Sequence, residues 1–145
     1  LLCLEIKKKI QLLEEYFFKE IKYGRLHIKK KKSDVRKVIM HGHCHQKAFD
    51  SFKLAVKLIK NIEGFEVDTI SSSCCGMAGS FGYQSENYEV SMKMAELSLL
   101  PRIRNENENV IIVASGTSCR QQINHGTDRT VIHPVSLLHD LCYLV

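Results

Sequence analysis

Residues 110–119 read VIIVASGTSC, and this stretch decides the fold class. Its first five residues are apolar without alternation, which is typical of a strand buried on both faces of a parallel sheet. A small polar turn follows the strand and leads to Cys119. Because neighbouring parallel strands need a crossover between them, usually a helix, we expect strands and helices to alternate through the chain.

The rest of the sequence follows that alternation. Shorter apolar runs predict strands at 35–40, 65–70 and 130–133. Apolar residues at intervals of three or four predict helices at 2–23, 46–61, 86–104 and 118–125, and a last helix that reaches residue 144. The expected fold is a Rossmann-like, three-layer α/β domain with a parallel sheet of about four strands, preceded by a long N-terminal helix. The residues expected to face inward from the first three helices are Cys3, Ile6, Ile10, Leu13, Phe17, Ile21, Phe49, Phe52, Val56, Ile59, Tyr88, Met92, Ala95 and Leu99.

The distribution of charged residues suggests that the chain has two regions. The net charge is +5, and lysines cluster at 7–9 and 29–32. We interpret the second cluster as a solvated linker, and divide the chain into an N-terminal helix with a basic linker, 1–33, and a cysteine-rich α/β domain, 34–145. The basic runs lack interleaved aromatic residues, so we expect no nucleic-acid partner.

The first residue and the hydropathy of the chain suggest what kind of protein it comes from and where that protein is located. The chain begins at Leu1 rather than methionine, so we expect a piece of a larger protein. No apolar run approaches the roughly 18 residues of a membrane span, and no signal peptide is recognisable. We therefore expect a cytoplasmic protein, whose basic runs leave peripheral attachment to an anionic inner-membrane surface open.

Four of the six cysteines fall where predicted strands end. Cys44 lies in HGHCHQ at 41–46, Cys74 and Cys75 lie in CCGMAGSFG at 74–82, and Cys119 follows the strand at 110–114. The carboxyl ends of parallel strands meet at one edge of a sheet, so we expect these four cysteines to converge on one metal centre. Cys3 and Cys142 are predicted to be core residues of helices.

The chemistry of the four thiols leaves several centres open. Iron–sulfur clusters and zinc both take thiolate ligands. Adjacent side chains in an extended segment point to opposite sides, so Cys74 and Cys75 suit a polynuclear centre better than a single tetrahedral ion. The same pair could instead be a vicinal disulfide, or a dithiol redox couple.

Glycines and histidines complete the candidate site. Gly76 and Gly79 could bring backbone N–H groups close to cluster sulfides, which tunes the reduction potential. His41, His43 and His45 alternate, so they can face one side of an extended segment, and imidazole with cysteine also makes zinc sites. We favour His43 and His45 as hydrogen-bond donors around the centre.

Three motifs in this order resemble one known family: HGHCHQKA at 41–48, CCGMAGSFG at 74–82 and ASGTSCRQQI at 114–123. They are similar to the C-terminal cysteine-rich CCG domain of bacterial FAD-linked oxidases fused to iron–sulfur modules. That group includes D-lactate, glycolate and D-2-hydroxyglutarate dehydrogenases. The same domain family occurs in heterodisulfide reductase, where paired modules in one of the subunits bind noncubane iron–sulfur clusters. The resemblance runs from the first helix to about residue 138.

The resemblance implies a ligand pattern of one cysteine, a cysteine pair and a closing CxxC. Cys44, Cys74, Cys75 and Cys119 match four of these positions, and Gly116 stands at the remaining one. Four thiolates leave a cubane 4Fe-4S cluster, a zinc ion, or an altered cluster completed by another group such as His43 or His45.

The resemblance also implies the reaction of a larger oxidoreductase. FAD, bound in a part missing here, would remove a hydride equivalent from a 2-hydroxy acid, and iron–sulfur centres would pass electrons singly to a quinone or another acceptor. The implied partners are the FAD-binding domain and another iron–sulfur module of the same protein. This chain would be an electron-transfer domain with no turnover alone. The alternative is a structural zinc domain that docks within the same oxidoreductase.

Overall fold

The computed structural model describes residues 2–72 and 74–145, apart from the side chains of Leu2, Lys7 and Lys8. Ser73, in the double-cysteine loop, lies outside the described residues. The strands are β1 (Ile28–Lys30), β2 (Lys37–His41), β3 (Glu66–Thr69), β4 (Ile111–Ala114), β5 (Val131–Ile132) and β6 (Cys142–Leu144). The α-helices are α1 (Leu2–Lys9), α2 (Leu13–Lys22), α3 (Cys44–Ala48), α4 (Ser51–Lys60), α5 (Tyr88–Glu96), α6 (Leu99–Arg104), α7 (Thr117–Thr127) and α8 (Pro134–Leu141).

Four strands form one parallel sheet in the order β3-β2-β4-β5. Strand β2 lies at its centre, with Met40 opposite Thr69 of β3 and opposite Val113 of β4. The carboxyl ends of β2, β3 and β4 therefore open at the same edge of the sheet. This edge carries the loops in which the candidate cysteines lie.

Helices cover both faces of the sheet, which confirms the predicted three-layer α/β fold. Ile39 and Ile112 face a core built from α5, α6 and α7. Val38 and Val113 face a second core built from α2, α4 and α8. Neighbouring residues of a strand point to opposite faces, so the uninterrupted apolar runs of β2 and β4 supply both cores.

The predicted N-terminal helix is in two parts. Helix α1 ends at Lys9 and helix α2 begins at Leu13, where the Glu15 carboxylate accepts a hydrogen bond from the Leu12 N–H at 2.9 Å. Cys3 is exposed, so its predicted place in a core is wrong, whereas Phe17 and Ile21 of α2 do pack on the second core. Among the residues described, no helix has the length and apolar character needed to cross a membrane.

The basic segment is structured where a solvated linker was predicted. Residues 28–30 form β1, which pairs antiparallel with β6 so that Lys30 lies opposite Cys142. Cys142 is buried as predicted, but in a strand, because the last helix ends at Leu141. The linker interpretation is therefore wrong for these residues, and the division of the chain at residue 33 stays a prediction.

Two other predicted helices are interrupted. Asp50 adopts a left-handed conformation with φ 58° between α3 and α4, and Phe49 beside it is 81% exposed rather than inward. The predicted helix 86–104 breaks between α5 and α6, and Tyr88 is 45% exposed. Pro101 lies in the first turn of α6, where the missing N–H costs no helical hydrogen bond.

Candidate metal centre

Cys75 and Cys119 are in direct contact. The Cys119 thiol donates to the Cys75 sulfur at 3.4 Å, and Cys119 and Cys75 are 1% and 5% exposed. Cys75 lies in the loop after β3, and Cys119 lies in the first turn of α7, directly after β4. Because β3 and β4 flank β2, the loops at their carboxyl ends can meet above it.

Cys74 and Cys44 lie near this pair. Cys74 is half-buried, and its sulfur accepts a hydrogen bond from the Gly76 N–H at 3.3 Å. Cys44 is exposed at the start of α3. Both are close enough to Cys119 that their negative charge would raise the pKa of the Cys119 thiol. All four predicted cysteines therefore share one edge of the sheet.

The contact between the two buried thiols shifts their pKa values in opposite directions. The hydrogen bond from Cys119, aided by His41 and the Met77 N–H, outweighs burial and lowers the pKa of Cys75 to about 4. The pKa of Cys119 is raised, because this thiol donates to Cys75 and is itself buried. At neutral pH the pair consists of one thiolate and one thiol, which provides a ligand already deprotonated for a metal.

His41 belongs to the site, although sequence reasoning selected His43 and His45. It is 2% exposed, its Nδ1 lies 3.0 Å from the Ser72 hydroxyl, and it lies close enough to Cys75 to lower the pKa of that thiol. Burial lowers the pKa of its imidazole, so the ring is neutral at pH 7. A usable signal was present: His41 is two residues after Ile39 and so faces the same side of β2.

Lys47 is a second residue that the prediction missed. Its ammonium group donates to the Ser72 carbonyl, which joins α3 to the double-cysteine loop. Burial lowers the pKa of Lys47, and negative charge on Cys119, Cys74, Cys44 or Cys75 would raise it. Lys47 lies three residues after Cys44, a spacing that places both on one face of a helix.

His43 lies beside Cys119, with Gly116 between them. A β-carbon on residue 116 would lie 2.6 Å from Cδ2 of His43 and 3.0 Å from the Cys119 sulfur. His43 also caps α3, because its Nδ1 accepts the His45 N–H at 3.3 Å. His45 is exposed and meets the His43 ring edge-to-face, with centroids 5.2 Å apart.

The two predicted loop glycines, Gly76 and Gly79, differ in how closely other atoms approach them. Gly76 has φ +89°, and a β-carbon there would lie 2.1 Å from the Ser91 carbonyl oxygen of α5. Gln122 of α7 donates to the same carbonyl at 3.2 Å, so the loop is held against both helices. Gly79 has φ +69°, but a β-carbon there would meet no atom within 4 Å. Of these two residues, only Gly76 is required to be glycine by packing.

The donor set suits a thiolate-bound group. Two of the four sulfurs are buried, one of them is a thiolate at neutral pH, and Lys47 lies within range of all four to offset their charge. Among the described residues, no group of three or more His, Cys, Asp or Glu side chains is arranged to hold a single metal ion.

Comparison with known proteins identifies the family. The model of the CCG cysteine-rich domain matches residues 38–124. This chain belongs to the CCG cysteine-rich domain family. The matched part of the CCG domain contains Cys44, Cys74, Cys75 and Cys119, and it leaves out Cys3 and Cys142. The predicted family is confirmed, but the matched part begins at residue 38 and ends at residue 124, whereas the resemblance was predicted to run from the first helix to about residue 138.

Curated relatives of this CCG domain are parts of oxidoreductases. One subunit of the anaerobic glycerol-3-phosphate dehydrogenase of Escherichia coli K12 is 32% identical over 102 residues, which cover 70% of the chain and 25% of the relative. The D-2-hydroxyglutarate dehydrogenase of Escherichia coli K12 is 36% identical over 84 residues, 54% of the chain and 8% of the relative. The D-2-hydroxyglutarate dehydrogenase of Pseudomonas putida is 32% identical over 75 residues, 52% of the chain and 7% of the relative. The chain thus spans a quarter or less of these relatives. No solved structure matches it.

Proposed function

We propose that this CCG domain is an iron–sulfur electron-transfer domain of a larger FAD-linked oxidoreductase that oxidises a 2-hydroxy acid. One observation carries the proposal: the buried thiols of Cys75 and Cys119, from separate strand ends, touch at 3.4 Å within a set of four cysteines. Soft thiolate donors gathered at one edge of a sheet are the ligands that iron–sulfur clusters use. The curated relatives are named as dehydrogenases or as a subunit of one, which supports a function in an oxidoreductase.

Cys44, Cys74, Cys75 and Cys119 would hold the cluster, which when bound accepts and releases one electron at a time. Cys75 would bind as the thiolate that it already is at neutral pH. Lys47 would offset part of the negative charge of the four thiolates. His41, which lowers the pKa of Cys75, would favour the ligating thiolate form of that sulfur.

The proposed surroundings of the cluster are Gly76, Gly79, Gly116, His43 and His45. Gly76 supports this role because its N–H already donates to the Cys74 sulfur at 3.3 Å. Gly116 and His43 support it because they lie beside the Cys119 sulfur. For Gly79 and His45 the support is their position in the matched motifs.

The rest of the reaction would take place outside this chain. FAD bound to another domain of the same protein would oxidise the substrate, and a further iron–sulfur module would exchange electrons with this domain. A quinone or another acceptor would receive them. We expect the chain to show no turnover alone, and to act at the cytoplasmic side, free or peripherally bound to the inner membrane.

Anaerobic reconstitution tests the proposal. The full 145-residue chain is incubated with iron and sulfide and analysed for iron, sulfide and zinc. Iron and sulfide together with a broad visible absorbance are expected, and serine at Cys44, Cys74, Cys75 or Cys119 should reduce the iron content. Cys3→Ser and Cys142→Ser are the matched controls and should keep it. Stoichiometric zinc without iron in protein purified anaerobically would replace this proposal with the structural zinc domain.

A second candidate is a dithiol redox module. The sequence suggested Cys74 and Cys75 as the couple, but the thiol that touches Cys75 is that of Cys119. A low pKa at Cys75 gives the thiolate needed for thiol–disulfide exchange. A reversible two-electron dithiol titration of the metal-free chain, lost in Cys75→Ser, together with failure to take up iron, would favour this function.

A further inference from the structure

We propose that a cleft at the carboxyl edge of the sheet binds the ring of a quinone, with Glu14 and His133 as its hydrogen-bonding partners. The inference rests on the proposed electron-transfer function, because it names the acceptor of that function and places its site beside the cysteine centre. Glu14 and His133 lie outside residues 38–124, so the match to the family does not account for them.

The strand order places this cleft where ligands bind in parallel sheets. From β2 the chain goes to β3 on one side and then to β4 on the other side. Such a reversal opens a crevice between the loops that follow the two central strands. Gln46 follows β2, Ser115 and Gly116 follow β4, and all three line a cleft of about 280 Å³. The Gln46 amide donates to the Ser115 hydroxyl at 3.2 Å, which joins the two sides.

The cleft borders the cysteine centre at Gly116. A β-carbon on this residue would lie 3.0 Å from the Cys119 sulfur, so no side chain of residue 116 separates the cleft from that sulfur. The volume of about 280 Å³ is at the small end of the roughly 300–1,000 Å³ usual for small-molecule sites. The cleft therefore suits a single substituted ring, rather than a dinucleotide, next to a proposed cluster ligand.

Glu14 places a buried hydrogen-bond acceptor in the wall of the cleft. The residue is 8% exposed and lines the cleft, and its carboxylate has no hydrogen bond or ion pair to any residue that the structure describes. Its place in the first turn of α2 stabilises the negative charge in part. A buried carboxylate still needs a hydrogen-bond donor. The O–H group of a ligand would supply it.

His133 places a hydrogen-bond donor in the same cleft. Its Nδ1 accepts the Val135 N–H at 3.2 Å and caps α8, so the neutral ring carries its proton on Nε2. Burial, and then the charge of Arg120, lower the pKa of His133, so the ring is neutral at pH 7. Among the residues described, none hydrogen-bonds Nε2. The carbonyl oxygen of a ligand would accept from it.

A quinone and its quinol satisfy both residues. A quinone oxygen accepts from His133, and the same oxygen, as a quinol hydroxyl, donates to Glu14. Reduction takes two electrons, which in the proposed function arrive one at a time from the cysteine centre. It also takes two protons from solvent, which form one O–H bond at each ring oxygen. Anionic ligands such as a 2-hydroxy acid are disfavoured, because the Glu14 carboxylate would repel them.

Binding to the metal-free, full 145-residue chain is the first test and does not depend on cluster assembly. The probes are ubiquinone-1, whose fully substituted ring has no position open to thiol addition, and ubiquinol-1. Anaerobic calorimetry should show saturable binding of both, with amide NMR shifts centred on residues 115, 116 and 133, and no binding of D-lactate. Absence of saturable binding, shifts centred elsewhere, or binding lost in Cys75→Ser because the probe reacts with the thiolate would overturn the proposal.

Two variants separate hydrogen bonding from shape. Glu14→Gln should raise the Kd of ubiquinol-1 about fivefold and change that of ubiquinone-1 little, because a neutral amide is a weaker acceptor than a carboxylate. His133→Asn should raise the Kd of ubiquinone-1 about fivefold, while the Asn oxygen still accepts the Val135 N–H and caps α8. Equal losses for the two redox forms in both variants would indicate a merely structural effect and overturn the proposal.

Leu12 and Leu13 provide a steric test with its own control. They are neighbours of similar exposure, 46% and 41%, but Leu12 lines the cleft, whereas Leu13 lines an apolar groove together with Leu138 and Leu144. Leu12→Trp should therefore block binding of ubiquinone-1, and Leu13→Trp should leave it unchanged. Binding that survives Leu12→Trp and is lost in Leu13→Trp would place the probe in the groove and overturn the proposal.

Failure of the proposed function would give a different result. A wild-type chain that takes up zinc and no iron would refute electron transfer, while the binding measurements would still decide whether the cleft holds a quinone. In the reconstituted chain, Leu12→Trp should keep the iron content but slow the oxidation of the reduced centre by ubiquinone-1. Normal iron uptake by a chain that binds neither ubiquinone-1 nor ubiquinol-1 would refute the quinone site alone.

Discussion

The thiol of Cys119 lies 3.4 Å from the sulfur of Cys75, although 44 residues separate them in the chain. The contact exists because β3 and β4 lie on either side of β2 and their following loops meet at the same edge of the sheet. It makes Cys75 a thiolate and Cys119 its hydrogen-bond donor. The four cysteines are therefore not equivalent before any metal binds.

Oxidation of the metal-free chain should join Cys75 to Cys119. The two sulfurs need only a small movement to reach bonding distance, and the Cys75 thiolate is the nucleophile that disulfide formation requires. Peptide mapping by mass spectrometry after mild oxidation identifies the bridge. Cys74→Ser should keep it and Cys119→Ser should remove it. A bridge between Cys74 and Cys75 in the wild-type chain would contradict this expectation.

Gly76→Ala should destabilise the protein far more than Gly79→Ala. A β-carbon at residue 76 would overlap the Ser91 carbonyl of α5, and the alanine would also have to adopt a positive φ. Together these two effects cost about 2–4 kcal/mol of unfolding free energy. At Gly79 the positive φ is the only penalty, about 1 kcal/mol. Urea denaturation of the metal-free variants measures both. Equal losses would mean that the loop does not pack on α5 as described.

Cys142→Ser should destabilise the protein, whereas Cys3→Ser should not. Cys142 is 5% exposed in β6, opposite Lys30 of β1, and a buried hydroxyl without a partner costs about 1–3 kcal/mol. Cys3 is exposed, so its serine variant is the matched control. Thermal unfolding compares the two. If neither variant changes the midpoint, the side chain of Cys142 is not buried as described.

Glu106→Gln should change how stability depends on pH. The Glu106 carboxylate accepts from Lys37 at 2.9 Å and also pairs with Arg102, and these cations lower its pKa below the usual 4.5. A lowered carboxyl pKa stabilises the fold above about pH 4.5, and this contribution disappears as the pH falls through the lower, folded-state pKa.

The variant should therefore lose about 1–2 kcal/mol of unfolding free energy at pH 7 and lose less below pH 4. Urea denaturation at pH 7 and at pH 3.5 measures the difference. Lys37 begins β2 at the edge opposite the cysteines, so iron uptake should not change. An equal loss at both pH values would show that the charge of Glu106 does not stabilise the fold.

Much of this architecture could be predicted from the sequence because its signals are local. The apolar run at 110–114 and the shorter runs before Cys44 and Cys74 require only a pattern of neighbouring residues to predict buried parallel strands. Because the carboxyl ends of parallel strands lie at one edge of a sheet, the same signals also predicted that the four cysteines lie together. The broken helices could not be foreseen as easily, because an apolar periodicity continues across Asp50 even though its backbone is left-handed.

The sequence by itself determined the parallel α/β fold, the family and the four candidate cysteines. Only the tertiary structure decided that Cys75 touches Cys119, that His41 rather than His45 contacts the thiolate, and that residues 28–30 pair with the last strand. The physical reason is that periodicity reports which face of an element is buried, whereas a contact between distant residues depends on strand order and register. Gly116 illustrates the difference. In the sequence it is a glycine at a position where the family pattern has a cysteine. In the structure its lack of a side chain leaves room for the His43 ring beside the Cys119 sulfur.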